Sequence, residues 1–127
     1  MAQAGDWYNV IIEEAHIDWG VYRNPTNRHI IQGESYVKIP SDKARDFEIV
    51  RGNKYTAHFV NGTTPFVIKA AGNGPRNNVV QYAKQFEGVG NGACKAFTPW
   101  YTSCSARVGD TVHVEFISPY DIQFSII

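Results

Sequence analysis

The stretch GESYVKIPSDKARDFEI (residues 33–49) combines a strand pattern and a helix pattern in one short segment. Its first half alternates polar and apolar side chains, as a strand with one buried face does. Pro40 has no amide proton for a ladder hydrogen bond, so the strand is expected to end there. Ser41 or Asp42 then offers a side-chain oxygen as the N-cap of a short helix over residues 42–47. The segment predicts a strand that runs directly into a short helix.

Most of the remaining chain is typical of strands separated by turns, because short β-rich runs alternate with Gly, Asn and Pro. Strands are predicted at residues 54–60, 65–70 and 122–127, and residues 106–117 are predicted as a Gly-Asp turn followed by an alternating strand. A second short helix is predicted at residues 98–106. Residues 72–78 are predicted as a long polar turn, and the period of residues 79–89 is ambiguous. Residues 7–22 predict either one long bent strand or a short helix around residues 11–15 followed by a strand. About six to eight strands with one or two helices favour a closed or nearly closed β-barrel.

The apolar core is predicted from the same alternation, because every second side chain of a strand points to one face. Trp100, in the second predicted helix, is expected to join it. The predicted core residues are Tyr55, Ala57, Phe59, Trp100, Val112, Val114 and Phe116.

The net charge of zero hides a strong segregation of charge along the chain. Residues 51–107 carry seven basic side chains and one acidic side chain, Glu87. Residues 1–50 carry five basic and eight acidic side chains, and residues 108–127 carry three acidic side chains and no basic one. This segregation permits binding to nucleic acid, and the alternative is a solvated surface with scattered basic residues.

The 127 residues fit one domain, and their composition excludes several classes of protein. No apolar run approaches the roughly 18 residues of a membrane helix, and the amino terminus has no signal-peptide pattern. We therefore expect no membrane partner and a cytoplasmic location. Cys94 and Cys104 are predicted to be free thiols, and without a CxxC pair a structural zinc site is not expected.

No catalytic constellation is recognisable in the sequence. The four histidines are far apart, and two adjacent glutamates at residues 13–14 would point to opposite faces of a strand. Asp42, Asp46 and Glu48 are close together, but helix capping and solvation explain them better than a Mg²⁺ site does. We expect neither a metal nor another cofactor.

Two polar loops carry the recognition chemistry that remains, at residues 23–29 and 72–85. The first has two arginines, two asparagines, a threonine and a histidine, and the second has Arg76, Lys84, three asparagines and two glutamines. Arginine pairs with guanine edges, asparagine and glutamine pair with adenine, and lysine or threonine reaches phosphate. Ordinary turns also favour these residue types, so each loop alone is weak support for binding.

Three features occur in a distinctive order: GESYVKIPSDKARDF (residues 33–47), the aromatic pair Trp100 and Tyr101, and VGDTVHVEF (residues 108–116). In this order, over about residues 20–127, the chain resembles a DNA-binding pseudobarrel. Plant B-three transcription-factor domains share that fold with the recognition domains of EcoRII-, BfiI- and NgoAVII-type restriction endonucleases. GESYVKIP is closer to the prokaryotic branch. The resemblance implies a mainly β fold, a seven-stranded open barrel with two short helices, in a prokaryotic protein.

The resemblance also implies that two arms enter the major groove of double-stranded DNA. By position, the arms are residues 23–32 and 73–85, which contain the two polar loops. The DNA-binding residues predicted in the first arm are Arg23, Asn24, Thr26, Asn27, Arg28, His29 and Gln32. Those predicted in the second arm are Asn73, Arg76, Asn77, Asn78, Gln81, Lys84 and Gln85, and neighbouring strands add Lys38 and Lys69.

The predicted function is sequence-specific DNA binding as the target-recognition part of a restriction endonuclease. Residues 1–20 are expected to form an extension that packs on the barrel, and residues 21–127 the DNA-binding domain. The chain alone is not expected to be an enzyme, so a nuclease domain or subunit is a further expected partner; a small stand-alone protein is the other possibility. A carbohydrate- or small-ligand-binding domain is the alternative, with stacking faces from Trp7, Trp19, Trp100 and Tyr101. An enzyme with an unrecognised site is a third.

Overall fold

The computed structural model describes residues 1–17 and 34–127, and the statements that follow concern these residues. Its seven strands are β1 (Trp7–Ile11), β2 (Val37–Lys38), β3 (Lys54–Phe59), β4 (Phe66–Ala71), β5 (Gln85–Gly88), β6 (Thr111–Ser118) and β7 (Asp121–Ile126). Its three short helices are α1 (Glu14–Ile17), α2 (Ser41–Asp46) and α3 (Thr98–Ser103), and a single 3-10 turn covers Ala93–Lys95.

The strands form one sheet in the order β1-β6-β7-β3-β4-β5-β2, which curls into a nearly closed barrel. Neighbouring strands are antiparallel except β3 and β7, which are parallel. An open seam separates the end strands β1 and β2, and the Tyr8 hydroxyl crosses it to donate to the Lys38 carbonyl at 2.8 Å. The predicted mainly β class and seven-stranded open barrel are confirmed.

The core is built from aromatic side chains that alternate inward along the strands. All seven predicted core residues are buried. Phe124 of β7 is fully buried and contacts four other rings, with centroids 5.3–6.0 Å away. These rings belong to Phe59, Phe86, Phe97 and Trp100. The nearly closed barrel therefore surrounds one continuous aromatic cluster.

The predicted order of strand and helix is found in this segment, but within the described residues the strand is only β2 (Val37–Lys38), and the N-cap of the helix differs. Pro40 is the N-cap residue of α2, and neither Ser41 nor Asp42 caps the helix through its side chain. Pro40 has the extended conformation that an N-cap requires (φ −58°, ψ 144°), and its carbonyl accepts the Ala44 amide at 2.9 Å. The proline thus both ends the strand and opens the helix, which begins one residue earlier than expected.

Within residues 7–17, the described part of this segment, neither predicted arrangement is found: it is not one continuous strand, and the helix does not come first. A strand comes first, β1, and the short helix α1 follows it. The β-branched and aromatic run of β1 pairs along its whole length with β6, from Trp7 opposite Glu115 to Ile11 opposite Thr111. The amino-terminal segment is thus hydrogen-bonded into the sheet, and the predicted domain boundary at residue 20 stays a prediction because it falls outside the described ranges.

Two further predictions concern the cysteines and the membrane. Cys94 and Cys104 are not joined by a disulfide, as predicted. Across the part of the chain that the structure describes, no helix has the length and apolar character needed to span a bilayer.

Candidate nucleic-acid interface

The first predicted arm lies outside the described residues, but both of its flanks are described. Its seven predicted DNA-binding residues, from Arg23 to Gln32, therefore stay predictions. The two flanks are joined at one point, because the Tyr36 amide donates to the His16 carbonyl at 2.9 Å. The Ser35 amide adds a hydrogen bond to the Cys94 carbonyl at 2.8 Å. The chain thus leaves and re-enters the barrel at neighbouring points.

His16 is buried at this junction. The Glu13 amide donates to His16 Nδ1 at 3.1 Å, which requires a ring nitrogen without a proton. The other ring nitrogen, Nε2, lies 3.3 Å from the Glu13 carboxylate, and the ring packs beside Tyr36 with centroids 5.2 Å apart. Burial lowers the pKa of His16 below its ordinary value of 6.5, with a smaller lowering from Lys38 and an opposing effect of Glu13. The junction is therefore built around a neutral histidine.

The second predicted arm is a hairpin, which we call the hairpin arm (residues 72–84). Its two sides are joined by the Gly74 amide to the Tyr82 carbonyl at 3.1 Å and the Tyr82 amide to the Pro75 carbonyl at 2.9 Å. An isolated bridge pairs Arg76 with Gln81 nearer the tip. The predicted long polar turn at residues 72–78 forms the first side and part of the tip of this hairpin, with a single bridge at Arg76, and the ambiguous segment after it completes the tip and the other side.

Two of the predicted base-reading side chains, those of Asn77 and Gln81, hold the arm together through hydrogen bonds to its backbone. Asn77 Oδ1 accepts the amides of Val79 at 2.8 Å and Val80 at 2.7 Å. Gln81 Nε2 donates to the carbonyls of Gly74 and Tyr82, both at 2.9 Å. These side chains replace the regular ladder that so short a hairpin lacks, which makes the arm a defined surface.

Gly74 allows the two sides of the arm to lie in close contact. A Cβ at this position would lie 2.3 Å from the Ala83 carbonyl oxygen, far inside contact distance. A larger residue would push the two sides apart.

The chain segment before β3 braces the base of the hairpin arm. The Arg51 amide donates to the Gln81 carbonyl at 2.9 Å, and the Ala83 amide donates to the Ile49 carbonyl at 2.9 Å. The Arg51 guanidinium also donates to Asn73 Oδ1 at 2.8 Å. This contact brings a cation to the arm that sequence reasoning missed, because only the fold brings residues 51 and 73 together.

Four exposed side chains remain at the arm for a partner to contact: Arg76, Asn78, Val79 and Lys84. Within the described ranges, the side chains of Arg76, Asn78 and Lys84 take part in no hydrogen bond or ion pair. Asn78 and Val79 are at the tip, and Lys84 is at the base next to β5. Val79 was not predicted as a contact, because a pair of valines in a polar segment carries no signal for binding in the sequence.

A row of charged residues crosses the sheet next to the base of the arm. Lys54 of β3 lies opposite Lys69 of β4, and Lys69 lies opposite Glu87 of β5. Lys69 Nζ is 3.7 Å from the Glu87 carboxylate, so this predicted contact residue is already paired. Lys54 is exposed, and its position opposite Lys69 follows only from the strand register.

The predicted contact residue Gln85 is buried rather than exposed. Only 6% of its surface is accessible, and its amide donates to the Glu87 carboxylate at 3.3 Å. Lys38 of β2 lies opposite Gln85 in the sheet and is half-buried. The prediction treated Gln85 as part of a loop, whereas it is the first residue of β5.

The structure also locates the residues on which the two alternative functions, sugar binding and catalysis, would depend. Of the four rings predicted for sugar stacking, Trp100 and Tyr101 are buried in the core, Trp19 lies outside the described residues, and Trp7 is exposed. His58 Nε2 lies within hydrogen-bond distance of the Asp121 carboxylate, 2.9 Å away across β3 and β7, and Ser118 donates to the same carboxylate at 2.7 Å. These hydrogen bonds lower the pKa of Asp121 and hold it ionised. The serine bonds to the aspartate rather than to the histidine, so the three do not form a nucleophile–base relay.

Comparison with known proteins bears on the fold. Neither a protein-family model nor a curated protein matches the chain. Among solved structures, the chain is similar to one in the Arabidopsis FUS3-DNA complex, with a TM-score of 0.52, 13% sequence identity, and coverage of 92% of this chain and 93% of that chain. That protein is a plant B-three domain, so the shared fold is the B-three-like pseudobarrel that the sequence resemblance implied.

Proposed function

We propose that the chain binds double-stranded DNA in a sequence-specific manner, with the hairpin arm in the major groove. The observation that carries the proposal is the arm itself: a braced hairpin that presents Arg76 and Asn78 to solvent. A major groove about 12 Å wide admits a two-stranded ribbon of this kind. The fold shared with the chain of the Arabidopsis FUS3-DNA complex also supports the proposal.

We assign the exposed side chains to two kinds of DNA contact, base recognition and phosphate contact. Arg76 has a planar donor pair suited to the N7 and O6 of guanine, and Asn78 has the donor and acceptor that match adenine. Lys84 and Lys54 lie on the base of the arm and the adjoining strand, where single cations suit the phosphates. Arg51 serves the arm indirectly, since its guanidinium orients Asn73.

The second arm of this proposal is the segment at residues 23–32. Its arginines and asparagines offer the same chemistry as the hairpin arm, and its flanks meet at the His16–Tyr36 hydrogen bond. Two arms of similar composition suit a duplex held from both sides.

The biological setting that we propose is restriction: the chain acts as the target-recognition part of an endonuclease in a prokaryotic cytoplasm, and a nuclease domain or subunit cuts. The similarity of GESYVKIP to the prokaryotic branch supports this setting. The chain alone is then expected to leave plasmid DNA intact in the presence of Mg²⁺. Cleavage that disappears on substitution of an Asp or Glu would contradict this part of the proposal.

The decisive experiment is selection of bound duplexes from a random pool, followed by affinity measurements on the selected duplex and a scrambled one. We expect a consensus sequence, tighter binding to it, and affinities that fall steeply with salt because phosphate contacts release counterions. Selection without enrichment, with equal affinity for both duplexes, would reduce the function to non-specific binding. No binding to any duplex at low salt would reject the proposal.

A further inference from the structure

The tip of the hairpin arm presents an apolar side chain where polar ones would be expected. Val79 is 90% exposed, the highest exposure of any large apolar side chain in the described ranges. Its neighbours Asn77 and Asn78 are polar and also exposed. Single exposed apolar residues are common on protein surfaces. Because Val79 is not buried in the core, however, its side chain is available for contact with a partner.

Val79 is also held in a fixed position. Its amide donates to Asn77 Oδ1 at 2.8 Å, and the next amide, of Val80, donates to the same oxygen at 2.7 Å. The Asn77 amide returns a hydrogen bond to the Val80 carbonyl at 3.0 Å. A β-branched side chain has few rotamers on a fixed backbone, so the two methyl groups of Val79 point in a defined direction.

The major groove of DNA offers one apolar group, the 5-methyl of thymine, and methylation of cytosine places the same group at the same position. We propose that Val79 contacts a pyrimidine 5-methyl group in the major groove. The inference rests on the proposed function, since it requires the hairpin arm to enter that groove. Arg76 and Asn78 then read neighbouring base edges by hydrogen bonds, while Val79 reads a methyl group by apolar contact.

The experiment uses the duplex that selection yields, in three forms: unmodified, with every thymine replaced by uracil, and with cytosines replaced by 5-methylcytosine. Uracil lacks only the methyl group, so its pairing is retained. Wild type is compared with Val79→Ala and Val79→Thr, and with Val108→Ala as a matched control. Val108 is also exposed and lies in the turn before β6, which is separated from β4 by β7 and β3.

If the contact is to thymine, wild type should bind the uracil duplex about fourfold more weakly, the value for one buried methyl-sized group. Val79→Ala should bind the unmodified duplex about as weakly as wild type binds the uracil duplex, and should not distinguish the two. If the contact is to 5-methylcytosine, wild type should gain a similar factor on the methylated duplex. Val108→Ala should behave as wild type throughout.

Three results would overturn the inference. One is that neither modified duplex differs from the unmodified one for wild type. Another is that wild type and both Val79 variants respond equally to the modification, which would assign the effect to DNA shape or to another residue. The third is loss of affinity in Val79→Ala but not in Val79→Thr, together with an unfolded arm in Val79→Ala, which would make the residue structural. If wild type binds no duplex at all, the proposed function is rejected, and the inference about Val79 is rejected with it.

Discussion

The aromatic core and the hairpin arm are stabilised in opposite ways. In the core, Phe124 touches four rings contributed by two strands, β3 and β5, and by the loop and helix at residues 97–100, all distant in sequence. In the arm, Asn77 and Gln81 bond to backbone groups no more than seven residues away. Apolar burial is non-directional and tolerates distance along the chain, whereas a small polar hairpin needs specific local hydrogen bonds.

This difference separates stability from recognition. A core side chain can change the free energy of unfolding without touching a ligand, and an exposed side chain of the arm can change binding without touching the core. Each prediction that follows tests one side of that separation, beginning with the largest expected effect.

The largest effect is expected for Phe124→Ala in the core. Removing a fully buried aromatic ring should lower the free energy of unfolding by about 3–5 kcal/mol. Urea denaturation measures it, with Ile117→Ala as the control because Ile117 is an exposed apolar residue of the neighbouring strand β6. A loss below about 1 kcal/mol would mean that the aromatic cluster is not what holds the barrel closed.

The next effect in size is the loss of binding in Arg76→Ala. On the selected duplex the variant should lose about 1–3 kcal/mol, with much less loss on a scrambled duplex and little change in melting temperature. Arg107→Ala is the matched control, an exposed arginine in the turn before β6. Equal losses on both duplexes would make Arg76 a phosphate contact, and a large fall in melting temperature would contradict the separation itself.

Lys84→Ala should give a smaller and uniform loss of binding. One fewer phosphate contact weakens the selected and scrambled duplexes alike and makes the slope of log K against log salt shallower by about one. Lys95→Ala, an exposed lysine in the 3-10 turn, should leave the slope unchanged. A loss confined to the selected duplex would move Lys84 from phosphate contact to base recognition.

The smallest effect is expected from pH at the buried His16. Its folded pKa lies below the ordinary 6.5, so between the two pKa values the unfolded chain binds more protons than the folded one. This histidine therefore contributes stability at pH 7 that is lost as pH falls below about 6.5. His16→Gln should flatten that part of the stability profile, as measured by melting temperature between pH 7 and 5. An unchanged slope in the variant would exclude His16 as its source.

Local pattern was sufficient for the parts of this protein that obey a short period. Alternation along β3 and β6 identified their buried faces, and Pro40 marked the change from strand to helix. Local composition also located both polar segments, because their residue types cluster within a few positions. These features could be predicted since each depends on side chains adjacent in the chain.

What the linear chain could not show was which residues of the polar segments face outward. Strand register pairs Lys69 with Glu87 and makes Gln85 the buried first residue of β5. Folding of the chain brings the Arg51 guanidinium to Asn73. Asn77 and Gln81 stabilise the arm by hydrogen bonds to its backbone. Arg76 and Val79 remain exposed. These outcomes depend on contacts between residues far apart in sequence or on the closure of a particular hairpin. Composition does not determine them, because the same residue types serve equally well as scaffold and as contact.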